Sequence, residues 1–535
     1  MPRAKKTTAK TTAKVVKSLE PIVKETRSKA SADIPEETFS PNPNLSTEIF
    51  RISDRLQSFL AGMQNSMGAS CNTHLVGDSL PAICKSYAWG TMVSSNQGAP
   101  SWEITELRPS GSAVSSGGDT CGPVGFGYVY DSIIGAMRRD VKKNSAGIIW
   151  LDWSHKDILE FVSADYKYVF RGVYLPAVSD VDGRARLLSN EKLCAALTDA
   201  YNQNRIFLCK RPENDRYTNE RLMLNLCTEI EIPHQGFCIL GAIQLGRFNL
   251  ENIDTLKDVF TSASIDMLKY MLQVLEANKN DHYLYCSSPA NRQFGLGVSG
   301  LASLLANCGV KYTAFANALS EAVVDYKQGI HKVAFVAESN AHKSTAHKVV
   351  AAIARAYANS TSQLKGSVSR AFCVQPSATG AYQCADVKGY HTTPELQPVT
   401  GIRDKNGVHT IRQSALYGNE KIVFHPDVET VNDVPYEVYN EVCAGWQALM
   451  NSTELAHRHS SCWYGDKFTS KDLTSFVENN LRLNLYYRLR PYNEVALNKS
   501  QVGEGVDTED FDIDSMINAS CGLQQKGAVD CNCAD

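Results

Sequence analysis

Asn225, Cys227 and Glu229 stand on alternate residues of Leu224-Asn-Leu-Cys-Thr-Glu-Ile230. In an extended chain successive side chains point to opposite faces, so this spacing predicts an amide, a thiol and a carboxylate converging on one small volume. Buried strands rarely place three such groups on one face, because each needs a polar partner there. Cys238 follows in Gly236-Phe-Cys-Ile-Leu-Gly-Ala-Ile243, an apolar run that reads as a buried strand. The competing reading is a strand with one inert cysteine.

The elements that must hold these groups alternate along the chain. Asn72–Val76 reads as a strand, and Asp78 or Ser79 caps a helix running to about Met92. Gly147–Trp153 is expected as a strand and His155–Val162 as a helix. Strands are also expected at Tyr168–Val178 and Ile206–Lys210, flanking a helix at Glu191–Tyr201. Beyond Cys238 the pattern predicts helices over Asn252–Ala277, Gly297–Ala306, Ala314–Val336 and Ala341–Ala358. Such alternation predicts an α/β protein with a mainly parallel, buried sheet.

The chain has 535 residues, of which 43% are hydrophobic and 21% charged, with a formal net charge of -3. That is a globular composition, without an apolar run long enough for a membrane span or a secretory signal pattern. Sixteen cysteines without a regular framework fit reduced thiols in a cytoplasmic protein. Residues 1–29 hold nine Lys/Arg and two Glu, too little apolar surface to order themselves. They read as a solvated tail or as a nucleic-acid or partner-binding arm. The expected organisation is a basic arm and linker over 1–44, a catalytic domain over 45–501 and a flexible tail over 502–535.

Several segments together resemble the large, catalytic subunit of ribonucleotide reductase. Asn225-Leu-Cys-Thr-Glu-Ile230 is similar to its finger-loop signature. Ala69-Ser-Cys-Asn-Thr-His-Leu-Val-Gly-Asp-Ser-Leu80 and Phe237-Cys-Ile-Leu-Gly-Ala-Ile-Gln-Leu-Gly246 resemble the two strands that carry its redox cysteines. Arg292-Gln-Phe-Gly-Leu-Gly-Val-Ser-Gly-Leu301 resembles a further core segment. Gln375-Pro-Ser-Ala-Thr-Gly380 resembles the loop that holds substrate phosphates, and Leu485-Tyr-Tyr-Arg-Leu-Arg490 the tyrosine pair of class I enzymes. Cys531 and Cys533 stand where the family keeps its tail thiols. The order of the segments from about residue 50 onward makes the likeness specific.

The resemblance implies a ten-stranded α/β barrel, built from two five-stranded parallel halves antiparallel to each other, with a central finger loop. It implies a thiyl radical on Cys227, proton acceptance by Glu229 and charge stabilisation by Asn225. Cys71 and Cys238 supply two electrons and become a disulfide. Ser70, Pro376, Ser377, Ala378, Thr379 and Gly380 bind substrate. Tyr486 and Tyr487 relay a radical from a small, metal-containing beta subunit, so that no cofactor binds this subunit directly. Cys531 and Cys533 pass electrons from thioredoxin or glutaredoxin by thiol–disulfide exchange, with Cys521 as an alternative partner. A homodimer is a further expectation.

Some features depart from the family. No ATP cone fits in residues 1–60, and the loop near Asp140–Ser145 lacks the family's glycine- and arginine-rich character. The expected relative is a compact, bacteriophage-like version working in a host cytoplasm. Asp78 stands at the family's effector site, and an N-cap explains it equally. Alternatives are an adenosylcobalamin-dependent reductase, a nicotinamide oxidoreductase suggested by Gly295-x-Gly-x-x-Gly300, and a nucleic-acid scaffold. His457, His459 and Cys462 suggest a metal, and the two histidines read instead as isolated surface residues. The glycines of 295–300 read as points of close helix packing.

Overall fold

The computed structural model describes residues 46–62, 66–137, 146–281, 286–324, 326–414, 418–465, 467–479 and 483–489. The basic arm, the loop 138–145 and the tail with Cys521, Cys531 and Cys533 lie outside them.

Local sequence explains how the elements begin. Ile148–Asp152 is a wholly buried strand of Ile-Ile-Trp-Leu-Asp, the near-continuous apolar run of a strand covered on both faces. Ser79 opens the helix Leu80–Ser95, its side chain accepting from the Ala82 N–H, with Pro81 in the first turn. Ser344 caps Thr345–Leu364 in the same way.

Two runs of five parallel strands form the sheet. The first is Cys71–Leu75, Ala99–Glu103, Ile148–Asp152, Phe170–Leu175 and Phe207–Lys210. The second is Leu240–Gln244, Gln293–Ser299, Arg370–Val374, Ala456–Tyr464 and Leu483–Leu489. They meet antiparallel where Asn484 pairs with Cys209.

The sheet has twelve strands, and the ten of the two parallel runs lie side by side in its order. Phe50–Ile52 adds antiparallel to Leu240–Gln244. The Cys238 segment is divided at Ile239, with Phe237–Cys238 pairing antiparallel to Cys71–Leu75 and Leu240–Gln244 joining the second run.

Other expectations need correction. The 297–306 segment is strand to Ser299 and becomes helix at Leu301, after Gly300 turns the chain at φ +87°. Ala314–Val336 is divided into the helices Tyr312–Ala322 and Ile330–Asn340, with Gly329 at φ +97° before the second. A three-stranded sheet over Ile402–Asp404, Gly407–Ser414 and Gly418–Phe424 lies outside the main sheet and was not expected.

Candidate active site

The hairpin Leu222–Leu224 and Glu231–Pro233 carries the signature at its tip. The tip is a turn, which corrects the extended reading. Asn225 N donates to Ile230 O at 3.1 Å, and Thr228 N donates to Asn225 O at 3.2 Å. Ile230 N donates back to Asn225 Oδ1 at 3.0 Å. Thr228 sits at φ +72°, rare for a β-branched residue and of order 1–3 kcal/mol in cost. Neighbouring strands hold it there: Thr228 Oγ1 lies 2.9 Å from Ser460 Oγ, Ser460 Oγ donates to Cys227 O, and Asn484 Nδ2 donates to Thr228 O.

The base of the hairpin is fixed by charge. Buried Glu231 accepts from Arg458 Nε at 2.6 Å and pairs with Arg370 Nε at 3.3 Å. Arg370 also reaches Asp215 at 2.7 Å, so the buried carboxylates are compensated. Arg458 N donates to Glu229 O at 2.9 Å, and Arg458 Nη1 bonds Lys210 O and Asn484 Oδ1.

The turn brings together most of what alternation was expected to align. Asn225 Nδ2 donates to Cys71 Sγ and to Glu229 Oε1, both at 3.0 Å. Cys71 faces Cys238 as a register partner across antiparallel strands. Directly opposed residues lie about 4.5–5.5 Å apart at Cα, within disulfide range. Every cysteine among the described residues is a free thiol. Burial, then Cys71, Cys373 and Glu229, push the Cys238 thiol well above its ordinary range. Cys227 has a different neighbour: Tyr486 Oη donates to its sulfur at 3.7 Å. Tyr487 follows on the same strand, opposite Cys462, with its side chain outside the described residues.

The loop 376–380 is less ready. Ser377 N donates to the buried Glu395 carboxylate, and Ser377 Oγ lies against Ser299 Oγ. Ala378, Thr379 and Gly380 enter the short helix Ala378–Tyr382, and Pro376 precedes it. Burial pushes the Glu395 carboxyl up to about 7, against the lowering effect of hydrogen bonds from Ser377 and Gln397. Glu395 carries no motif, and its place against Ser377 was not foreseen. Ser70 is buried just before the strand Cys71–Leu75, with its hydroxyl 3.2 Å from Ser53 Oγ.

Three further groups singled out in the sequence have defined surroundings. Asp78 accepts from Arg108 N and Nε at 3.2 and 2.7 Å, while Ser79 supplies the cap. His457, His459 and Cys462 are buried on one strand, which corrects the surface reading of the two histidines. Burial lowers the His459 imidazole to about 3, and no metal-binding cluster occurs among the described residues. Gly295 and Gly297 serve strand packing rather than helix packing, and Gly300 turns the chain into the next helix. A Cβ on Gly295 would lie 2.6 Å from Leu240 Cδ2, and one on Gly297 would lie 2.5 Å from Gln375 Oε1.

Comparison with known proteins agrees with this architecture. The family model for the ribonucleotide reductase barrel domain matches residues 69–169 and 196–329. The vitamin B12-dependent ribonucleoside-diphosphate reductase of Mycobacterium tuberculosis (strain CDC 1551 / Oshkosh) is 27% identical over 284 residues, 46% of this chain and 39% of that protein. The protein of the same name from Thermoplasma acidophilum is 22% identical over 288 residues, 48% of this chain and 37% of its own. The match thus spans about two fifths of these relatives' length. The Actinobacillus ureae class Id ribonucleotide reductase alpha subunit shares the fold with a TM-score of 0.56 at 16% identity, over 83% of this chain and 87% of that one.

The relatives' names overturn one expectation. Both carry a dependence on vitamin B12, against the reading that no cofactor binds this subunit and that a metal-containing partner supplies the radical. Residues 69–169 and 196–329 are thus similar to the barrel domain of the ribonucleotide reductases, and the fold is shared with one of their alpha subunits.

Proposed function

We propose that this chain reduces ribonucleotides to 2'-deoxyribonucleotides, with Cys227 as the radical-bearing thiol. The observation that carries the reading is the Asn225 amide, which joins the Cys71 thiol to the Glu229 carboxylate at the tip bearing Cys227. A cysteine thiyl removes the 3' hydrogen, which lets the 2' hydroxyl leave as water, and later returns the hydrogen. Glu229 takes the 3' hydroxyl proton, and Asn225 stabilises the oxygen charge. Cys71 and Cys238 give two electrons and two protons, one hydrogen leaving in the water and one ending at the 2' carbon, and end as a disulfide.

The finer assignments belong to this proposal. The two five-stranded halves close into a barrel at Ile239, where the chain passes from one end of the strand order to the other. Pro376–Gly380 and Ser70 receive the substrate. Asp78, an effector contact in the resemblance, is bound by Arg108 and is assigned to structure. Cys531 and Cys533 exchange electrons with thioredoxin or glutaredoxin. The neighbour's description as an alpha subunit supports a second, smaller subunit as partner. A homodimer, a cytoplasmic setting and the division at 44 and 501 complete the proposal. No helix among the described residues is long and apolar enough to cross a membrane.

Vitamin B12 is the cofactor in the relatives' names, and it supplies a carbon radical when bound. Among the described residues, protein groups cover the sulfur of Cys227. Cys227 is 1% exposed, the Tyr486 hydroxyl lies 3.7 Å away, and Phe207 packs on the Tyr486 ring with centroids 4.8 Å apart. No step is therefore routed through the corrin. Tyr486 is assigned the hydrogen-atom exchange with Cys227, which its hydroxyl already contacts.

The test is an assay for deoxyribonucleotide with cell extract, dithiol and each of the four ribonucleotides, with and without adenosylcobalamin. Formation of deoxyribonucleotide supports the proposal. No product under any of these conditions, from protein shown to be folded, removes it. A response to adenosylcobalamin decides the cofactor.

A further inference from the structure

Cys373 is a third thiol at the redox pair, and nothing in the scheme above uses it. It lies in one buried cluster with Cys71, Cys238, Leu240, Ile230 and Ile232. Its strand, Arg370–Val374, is separated from Leu240–Gln244 by Gln293–Ser299. A side chain on the middle strand would wall the two apart. At the critical register the residue is Gly295, partner of Leu240. A Cβ there would sit 3.1 Å from Cys373 Sγ and 2.7 Å from Ile230 Cδ1. The missing side chain is the opening through which the thiol faces the pair.

The thiol is also held in a defined direction. Cys373 Sγ donates to Gln375 Oε1 at 3.1 Å, and Gln375 Nε2 donates to Gly241 O at 3.1 Å. Burial, followed by Glu229 and Cys71, pushes the Cys373 thiol well above its ordinary range. It therefore rests protonated, and its attack on a neighbouring disulfide requires the proton to leave as the new bond forms.

We propose that Cys373 exchanges with the Cys71–Cys238 disulfide left by turnover, so that the oxidised centre is shared among three sulfurs. This rests on the proposed role of Cys71 and Cys238 as the redox pair. In the exchange the Cys373–Cys71 bond forms and the Cys71–Cys238 bond breaks. The proton lost by Cys373 goes to the departing Cys238 sulfur, and no electron enters or leaves. The movement offers a reductant a second sulfur to attack, on the strand that leads into the loop 376–380.

Disulfide mapping of the full chain tests this. Wild type, Cys238→Ser and Cys373→Ser are oxidised with diamide, quenched in acid, alkylated, digested and analysed by mass spectrometry. Wild type should give Cys71–Cys238 together with Cys71–Cys373, Cys238→Ser should give Cys71–Cys373, and Cys373→Ser should give Cys71–Cys238 alone. Single-turnover yield should be unchanged in Cys373→Ser, while its multiple-turnover rate with a protein reductant falls several-fold. If Cys238→Ser leaves Cys71 and Cys373 free while wild type forms Cys71–Cys238 in full, the inference is overturned and the redox pair stands. If wild type forms no Cys71–Cys238 bond, the underlying pair fails and the inference fails with it.

Discussion

At the hairpin tip Asn225 already joins the Cys71 thiol to the Glu229 carboxylate, whereas at residues 376–380 the Ser377 N–H is spent on an internal carboxylate, Glu395. The thiol end is assembled in working contact. The loop end is closed on itself, and under the proposed function a substrate phosphate would displace Glu395 to gain that donor. The difference follows from the backbone. The tip is held from outside by Arg458, Ser460 and Asn484, so its groups keep their places without substrate. The loop end is a five-residue helix whose first N–H groups need an acceptor, and Glu395 provides one.

The largest expected effect is at the thiol end. Cys227→Ser should reduce deoxyribonucleotide formation to background with every reductant, since an alcohol does not give up its hydrogen atom as a thiol does. Multiple turnover by this variant would break the assignment. Tyr486→Phe should keep substrate affinity and lower turnover by about a hundredfold or more, the scale of losing a positioned proton-transferring group. Unchanged turnover would leave the Tyr486 hydroxyl as packing alone.

The support of the tip gives a stability effect. Arg458→Met removes one partner of buried Glu231 and should destabilise the fold by about 3–5 kcal/mol in urea unfolding. A loss under about 1 kcal/mol would mean that Arg370 alone compensates Glu231.

The loop end gives the smallest effect, and one that depends on pH. Burial raises the folded carboxyl of Glu395 to about 7, so folding favours its protonated form. That contribution is whole below about pH 4, where the unfolded carboxyl titrates, and is lost as pH rises through 7. Glu395→Gln should therefore be more stable than wild type by about 1–3 kcal/mol at pH 8, with the gap closing toward pH 4. It should also bind ribonucleotide several-fold more tightly at pH 8, as measured by calorimetry. Equal affinity at that pH would show that Glu395 does not compete with phosphate.

The parts of the site legible in the sequence were those carried by residue type and order. Asn225, Glu229, Cys71 and Cys238 were expected together and are found together, because two strands and one hairpin bring them there. Their geometry was not legible: period-two alternation predicts an extended segment, and no propensity signals Thr228 in a left-handed turn. Cys373 lay in the apolar run Arg370–Val374, where a cysteine reads as a small core residue, and only the pairing around Gly295 reveals its neighbours. Glu395 was hidden because its partner lies 18 residues earlier, on another element. The strands of the first parallel run were mostly foreseen from apolar runs such as Ile148–Asp152, whereas Arg370–Val374 and Ala456–Tyr464 of the second were not. Ala99–Glu103 was missed, since Ala-Pro-Ser-Trp-Glu has no such run.

The central claim is hydrogen abstraction and return by Cys227, and a ribonucleotide deuterated at the 3' carbon tests it most directly. Mass spectrometry and NMR of the product should find a 2'-deoxyribonucleotide that keeps deuterium at the 3' carbon and has gained a solvent hydrogen at the 2' carbon. A product whose 3' deuterium has been fully replaced by solvent hydrogen, or deuterium retention by Cys227→Ser at the wild-type rate, would contradict it.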